Sequence, residues 1–232
     1  MANHTYKRKS PGRMCFLNMQ HLFSQRVELL LLLGMAFFWT ITYILVIYKS
    51  YQDRTSGMPT AAICANITWE FLFSFILPFD PLQQIITVIW FFLDCIILLQ
   101  CLYYSKKQNP SFPTKTVIFS LMAIALLLHY GIAKEFHDLE GKYSAFGINL
   151  MMSILFIRML MIKNFQGQST SIAYFKMIGT LCISVLCYSQ YPHSLLLTML
   201  YILIFIVDVV YIVLITHKSE NLIYKPNKII AK

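Results

Sequence analysis

This sequence is poor in charge: 12% of its 232 residues are Asp, Glu, Lys or Arg, against 58% hydrophobic. Soluble domains carry about 25% charged residues, so a soluble globular fold is excluded and an integral membrane protein is implied. Acidic residues are the scarcer sign, 10 against 19 Lys and Arg, which leaves a net charge of +9. The basic residues lie at the ends of apolar runs and in the tails, where they meet anionic headgroups. The partner they imply is the lipid bilayer, not nucleic acid. No Cys-x-x-Cys pair occurs, and all six cysteines but Cys15 fall inside apolar runs. Buried free thiols behave as small hydrophobes, so neither a disulfide framework nor a zinc site is expected. The basic first 25 residues lead into an apolar run without a small-residue cleavage motif, so a first membrane helix is expected there instead of a signal peptide. No internal repeat or low-complexity segment is present.

What is abundant is long apolar runs, seven of them: 27–48, 59–79, 82–104, 115–134, 143–162, 171–189 and 194–216. The predicted fold is all-α, a bundle of seven transmembrane helices over 27–216, with a basic N-terminal tail (1–26) and a basic C-terminal tail (217–232). Pro78-Phe79-Asp80-Pro81 marks a tight turn, Asn109-Pro110 and Pro113 the third connection, and Tyr191-Pro192-His193 the sixth. The positive-inside rule puts the C-terminus in the cytoplasm, because Lys49, Arg54, Lys106, Lys107, Lys115, Arg158, Lys163 and Lys218 share its side. Two sequons occur: Asn3-His4-Thr5 near the terminus, and Asn66-Ile67-Thr68 inside a span, where it is unusable. The fourth connection holds Glu135, His137, Asp138 and Glu140, residue types that mimic a metal cluster. A mixed-charge loop is ordinarily solvated, and that reading is adopted.

The strongest functional signal is three carboxylates, Glu70, Asp94 and Asp208, each roughly a dozen residues into a run. At about 1.5 Å per residue they reach the midplane of a core about 30 Å thick. An ionisable group there costs on the order of 2.5–3.5 kcal/mol, which marks a pathway or site. Asn66 and Glu70 stand i,i+4 on one helix face, as do Trp90 and Asp94, and Asn149 and Ser153. In the last run Tyr201, Phe205, Asp208 and Tyr211 form a stripe around a carboxylate, and Trp69 adjoins Glu70.

Plainer readings compete. Asn149 with Ser153 has the form of interhelical glue, and aromatic stripes pack against helices or lipid. Arg158 and Lys163 can snorkel to headgroups, and His129, near a span end, reads as an ordinary histidine. The acids resist such readings, since no intramembrane lysine stands out as an ion-pair partner. Low dielectric favours the neutral carboxylic acid, which among aromatic rings is suited to protonating an alkene or epoxide. The ring faces then stabilise the resulting cation.

At these residues the chain resembles the small integral-membrane terpene cyclases of fungal meroterpenoid and indole-diterpene pathways, a family with bacterial relatives. The resemblance rests on Asn66-x-x-Trp69-Glu70-Phe71, the Trp90–Asp94 segment, Asn149-Leu150-Met151-Met152-Ser153, the Gly167-Gln168-Ser169 loop, Gly179-Thr180 and Asp208. It implies an enzyme that cyclises a linear prenyl chain on an aromatic head, often after epoxidation of the terminal alkene. Glu70 and Asp208 correspond to the acids implicated in protonation, and Asp94 to a further polar position. The substrate contacts expected are Asn66, Trp69, Trp90, Asn149, Ser153, Tyr201, Phe205 and Tyr211. The sequence has no Asp-Asp-x-x-Asp cluster for magnesium and no Asp-x-Asp-Asp motif, so neither a metal nor an organic cofactor is expected. The alternative is a proton-coupled small-molecule transporter, since midplane acids also mark ion pathways. No Gly- or Pro-interrupted helix pair suggests the two-halved architecture of carriers. A retinal sensor is excluded by the lack of lysine from 194 to 216. Nothing in the sequence signals oligomeric state. On this reading, Glu70→Gln and Asp208→Asn are each expected to abolish turnover while membrane insertion and folding, checked by detergent-extracted yield, are retained.

Overall fold

A computed structural model describes residues 22–108, 111 and 113–223. The Asn3 sequon, Cys15, Asn109-Pro110 and most of both basic tails lie outside the described residues. Seven α-helices follow in order: α1 (Gln25–Asp53), α2 (Thr60–Phe71), α3 (Pro81–Gln108), α4 (Thr114–Glu135), α5 (Lys142–Lys163), α6 (Thr170–Gln190) and α7 (Leu195–Ile223). A π-helical turn, Leu72–Ile76, extends α2. Each helix coincides with one apolar run, and six are long and apolar enough to cross a membrane.

The exception is the second run. The segment Thr60–Ile76 is shorter than the 59–79 expected. Pro59 precedes its first helical residue, and Pro78 and Pro81 stop it from continuing. Asp80 then caps α3, its Oδ1 accepting the Gln83 backbone N–H at 2.9 Å, with Pro81 at the first helical position. α2 begins and ends short because prolines bracket it.

The helices are apolar on all sides, with many large side chains such as Leu30, Phe37, Phe92, Leu127 and Ile202 facing outward. That pattern suits a lipid surround, where packing and polar contacts, not water exclusion, choose helix neighbours. The contacts run α1–α3–α2–α5–α7–α6 and back to α1, a closed ring of six helices. α4 lies outside the ring, mainly against α2. α1 and α6 therefore face α2 and α5 across the middle of the ring, and that gap becomes the site.

One connection differs from the sequence reading. Asp138, in the mixed-charge loop, is fully buried: its carboxylate accepts the Tyr143 backbone N–H at 2.9 Å and the Lys142 ammonium at 2.9 Å. It caps α5 rather than meeting solvent, because the first turn of α5 has orphan donors to satisfy. His129 is also buried, with Nε2 3.0 Å from the Ala65 carbonyl, tying α4 to α2.

The C-terminal end of the ring is sealed by two loops in close contact. Asp53 Oδ2 accepts the Gly167 N–H at 2.8 Å, and Ser50 Oγ accepts the Gly57 N–H at 2.8 Å. Gly167 has φ +77°, and a Cβ there would lie 2.7 Å from the Ser56 carbonyl oxygen and 2.8 Å from Gly57 Cα. Ser169 follows and caps α6 by accepting the Ile172 N–H at 3.2 Å. The Gly167-Gln168-Ser169 sequence is thus a structural clasp. Gly167→Ala is expected to cost about 1–3 kcal/mol from backbone strain alone, with the contact adding to it. The check is a lower thermal unfolding midpoint in detergent.

Candidate active site

Within the ring lies a cavity of about 1300 Å³. Its mouth is framed by the α2–α3, α4–α5 and α6–α7 connections, where Pro78, Asp80, Glu140 and Tyr191 line it. Its inner end is reached by Tyr43 of α1, Asn66 and Glu70 of α2, and Met152 of α5. The walls carry Trp39, Tyr43, Trp69 and Trp90. Both inner tryptophan N–H groups are satisfied by protein: Trp69 Nε1 donates to the Gly141 carbonyl (3.1 Å) and Ser144 Oγ (3.0 Å), and Trp90 Nε1 to Thr40 Oγ1 (3.0 Å). The indoles are pinned by their polar edges, which leaves carbon surface to line the cavity. Tyr43 sits between Trp39 and Trp90, each ring centroid 6.0 Å away.

Glu70 is buried at the inner end, and Asn66, one turn earlier on α2, organises the acids around it. The Asn66 amide nitrogen donates to Glu70 Oε1 at 3.1 Å, to Asp94 Oδ2 of α3 at 2.9 Å, and to the Tyr43 hydroxyl of α1. The Tyr43 hydroxyl in turn donates to Glu70 Oε1 at 2.6 Å. One side-chain amide therefore joins three helices. Glu70 Oε2 and Asp94 Oδ1 are buried and receive no donor. The amide has two protons for three oxygens, so the cluster is short of donors. Asp94 does not line the cavity; it stands behind Glu70, in direct interaction with it.

Asp208 is elsewhere. The Lys176 ammonium of α6, itself fully buried, donates to its two oxygens at 2.8 and 3.0 Å and to Ser153 Oγ of α5 at 2.7 Å. The expectation that no intramembrane lysine pairs with the acids is thereby corrected. Lys176 lies only six residues into α6, close enough to the loop to read as an end residue in the sequence. The bundle draws it inward because an ammonium in hydrocarbon needs a counter-charge, and Asp208 of α7 supplies it. Lys176 also approaches the Trp39 ring, 5.9 Å from its centroid.

Of the residues singled out from sequence, Asn66, Trp69, Glu70, Trp90 and Asn149 converge on the cavity, with Asp94 adjoining through Asn66. Asn149 Nδ2 donates to Thr180 Oγ1 at 3.0 Å, and its Oδ1 is buried without a partner. Ser153 and Asp208 are held in the Lys176 triad and do not line the cavity. Tyr201 and Phe205 border a separate groove of about 440 Å³ between α6 and α7, and Phe205 is exposed on the outer surface. Tyr211 is buried, its hydroxyl 2.7 Å from the Gln168 amide. The α7 stripe thus packs the bundle and lies away from Glu70. Trp39 and Tyr43 were missed, although their i,i+4 spacing in α1 repeats the aromatic-polar pattern of the other spans. Among the described residues no His, Cys, Asp and Glu group is arranged to hold a metal ion.

The family model of Pyr4-like transmembrane terpene cyclases matches residues 18–220. The chain is 29% identical over 167 residues to a Pyr4-family terpene cyclase of Annulohypoxylon moriforme, covering 67% of this chain and 69% of that one. It is 30% identical over 153 residues to a terpene cyclase of Penicillium terrestre, covering 62% and 59%. It is 27% identical over 115 residues to the terpene cyclase Pyr4 of Aspergillus fumigatus, covering 44% and 48%. No solved structure matches the chain. With a match that runs from before α1 into the end of α7, the chain belongs to the Pyr4-like transmembrane terpene cyclases.

Proposed function

We propose that this protein cyclises a lipophilic prenylated substrate by protonating its terminal alkene or epoxide, without a cofactor, and that Glu70 is the proton donor. The observation that carries the proposal is the Glu70 cluster: a buried carboxyl on a large aromatic-lined cavity, tied to a second carboxyl and a tyrosine, with no cation among its partners. Two carboxylates so close in low dielectric repel, and the cluster is short of hydrogen-bond donors. A single proton held by the Glu70–Asp94 pair relieves both costs. That proton passes to the substrate, leaving a carbocation on the prenyl tail and a carboxylate on Glu70. Alkene π-electrons then attack the cation, new carbon–carbon bonds close the rings, and loss of a proton from the final cation restores the balance. Substrate and product are isomers of equal mass.

Trp39, Trp69, Trp90 and Tyr43 supply ring faces to a cation within the cavity, an interaction worth about 2 kcal/mol or more when desolvated. The preorganised Asp94 carboxylate opposes the charge, and the proton lost from the final cation returns to the Glu70–Asp94 pair. Asn149, with a free acceptor oxygen on the cavity wall, takes a hydrogen-bond donor of the substrate. The mouth lies on the side opposite the C-terminus, the non-cytoplasmic face if the positive-inside rule sets the orientation. Asp208 is a positioning residue: as the counter-charge of Lys176 it fixes α6 and α7 behind Trp39.

Membranes containing the protein, given prenylated aromatic compounds with and without a terminal epoxide, are expected to yield an isomer of unchanged mass by mass spectrometry. Glu70→Gln is expected to lower its formation by about 10²–10⁴-fold, the usual worth of a general acid. Full activity in that variant would overturn the assignment of the donor.

Lys176→Met is expected to destabilise the protein by about 3–5 kcal/mol through an uncompensated buried carboxylate, with the double replacement Lys176→Met/Asp208→Leu recovering most of it. Thermal unfolding in detergent measures both. A stable double variant that keeps turnover supports the positioning role of Asp208, whereas a stable but inactive one returns Asp208 to the chemistry.

A further inference from the structure

We infer that Tyr43 is a positioning residue for the proton donor: by occupying Glu70 Oε1 it makes Oε2 the oxygen that carries the transferable proton. The inference deepens the proposed role of Glu70 and rests on it.

A neutral carboxyl has two unlike oxygens, a carbonyl that accepts and a hydroxyl that donates. Glu70 Oε1 accepts twice, from the Tyr43 hydroxyl at 2.6 Å and the Asn66 amide at 3.1 Å, whereas Oε2 accepts from no group. The doubly accepting oxygen is the carbonyl, so the proton belongs on Oε2. Geometry holds Tyr43 to this task. Its ring is wedged between Trp39 and Trp90, the residue is 3% exposed, and its hydroxyl takes the Asn66 amide as donor, so its own proton is directed at Oε1.

The arrangement acts on the transition state. As the proton leaves Oε2, negative charge spreads onto Oε1, and a hydrogen bond to a charged acceptor is roughly twice as strong as one to a neutral acceptor. Tyr43 therefore holds the carboxylate product of proton transfer more tightly than the carboxylic acid that precedes it. That differential is what accelerates a chemical step.

The test is Tyr43→Phe, which removes the hydroxyl and keeps the ring. The expected result is a fall in kcat of about ten- to a hundredfold, the worth of one hydrogen bond to a charged group, with KM unchanged. Infrared difference spectroscopy supplies a readout that loss of packing would not move. A protonated-carboxyl C=O band that disappears in Glu70→Gln is expected in the wild-type protein at the lowered frequency of a strongly hydrogen-bonded carbonyl, and to rise in frequency in Tyr43→Phe. The wild-type band stands as evidence even where Tyr43→Phe does not fold: a Glu70 band at the frequency of a free carbonyl overturns the inference. An active Glu70→Gln variant defeats the donor reading itself. An inactive Glu70→Gln beside a Tyr43→Phe with wild-type kcat and an unmoved band defeats only the role of Tyr43.

Discussion

A single uncharged amide ties the functional end of this bundle together. Asn66 projects from α2 and meets oxygens from α1, from α2 one turn on, and from α3. α1 and α2 share no backbone packing of consequence; they face each other across the cavity, and the Tyr43–Glu70–Asn66 contacts bridge the gap. In hydrocarbon an unsatisfied polar group costs several kcal/mol, so these groups have no alternative to one another. The same constraint that holds three helices in register also keeps an acid at the wall of an apolar cavity. The proposed chemistry and the stability of the bundle draw on one set of hydrogen bonds.

The Lys176–Asp208–Ser153 triad is the second polar node, and its character is opposite. It is a matched ion pair, sealed away from the cavity, with each partner within hydrogen-bond distance. A buried pair of this kind contributes little net stability over an apolar packing, but losing one member strands a charge. It therefore fixes the partnership of α5, α6 and α7 more than it strengthens it. The Glu70 cluster has carboxyls and no cation; the Asp208 cluster has a carboxylate and its ammonium. That contrast in partners is the basis for giving the two acids different roles, although both looked alike as midplane carboxylates.

Much of the fold was legible in the sequence because lipid imposes one simple rule. A segment that must satisfy its backbone internally and be apolar on all sides can be recognised from composition alone, and all seven runs became helices. The Asn66–Glu70 pairing was legible too, since i,i+4 spacing fixes a shared helix face. What periodicity could not provide was the order of helices around the ring. Without it, the aromatic stripe of α7 looked like a cavity wall, and Lys176 looked like a loop-end residue. Asp138 was misjudged for the same reason, since burial depends on which neighbour covers a residue.

The sequence by itself determined that the chain is a seven-helix membrane protein of the terpene cyclase family, with Glu70 and Asn66 on one face of a proline-bounded helix. Those conclusions follow from local rules of hydropathy, spacing and motif, which act within a segment. The tertiary structure alone decided that Asp94 joins Glu70, that Asp208 joins Lys176, and that Tyr43 reaches the acid from the far side of the cavity. Each is a contact between residues on different helices, and only helix packing sets which side chains meet across such distances.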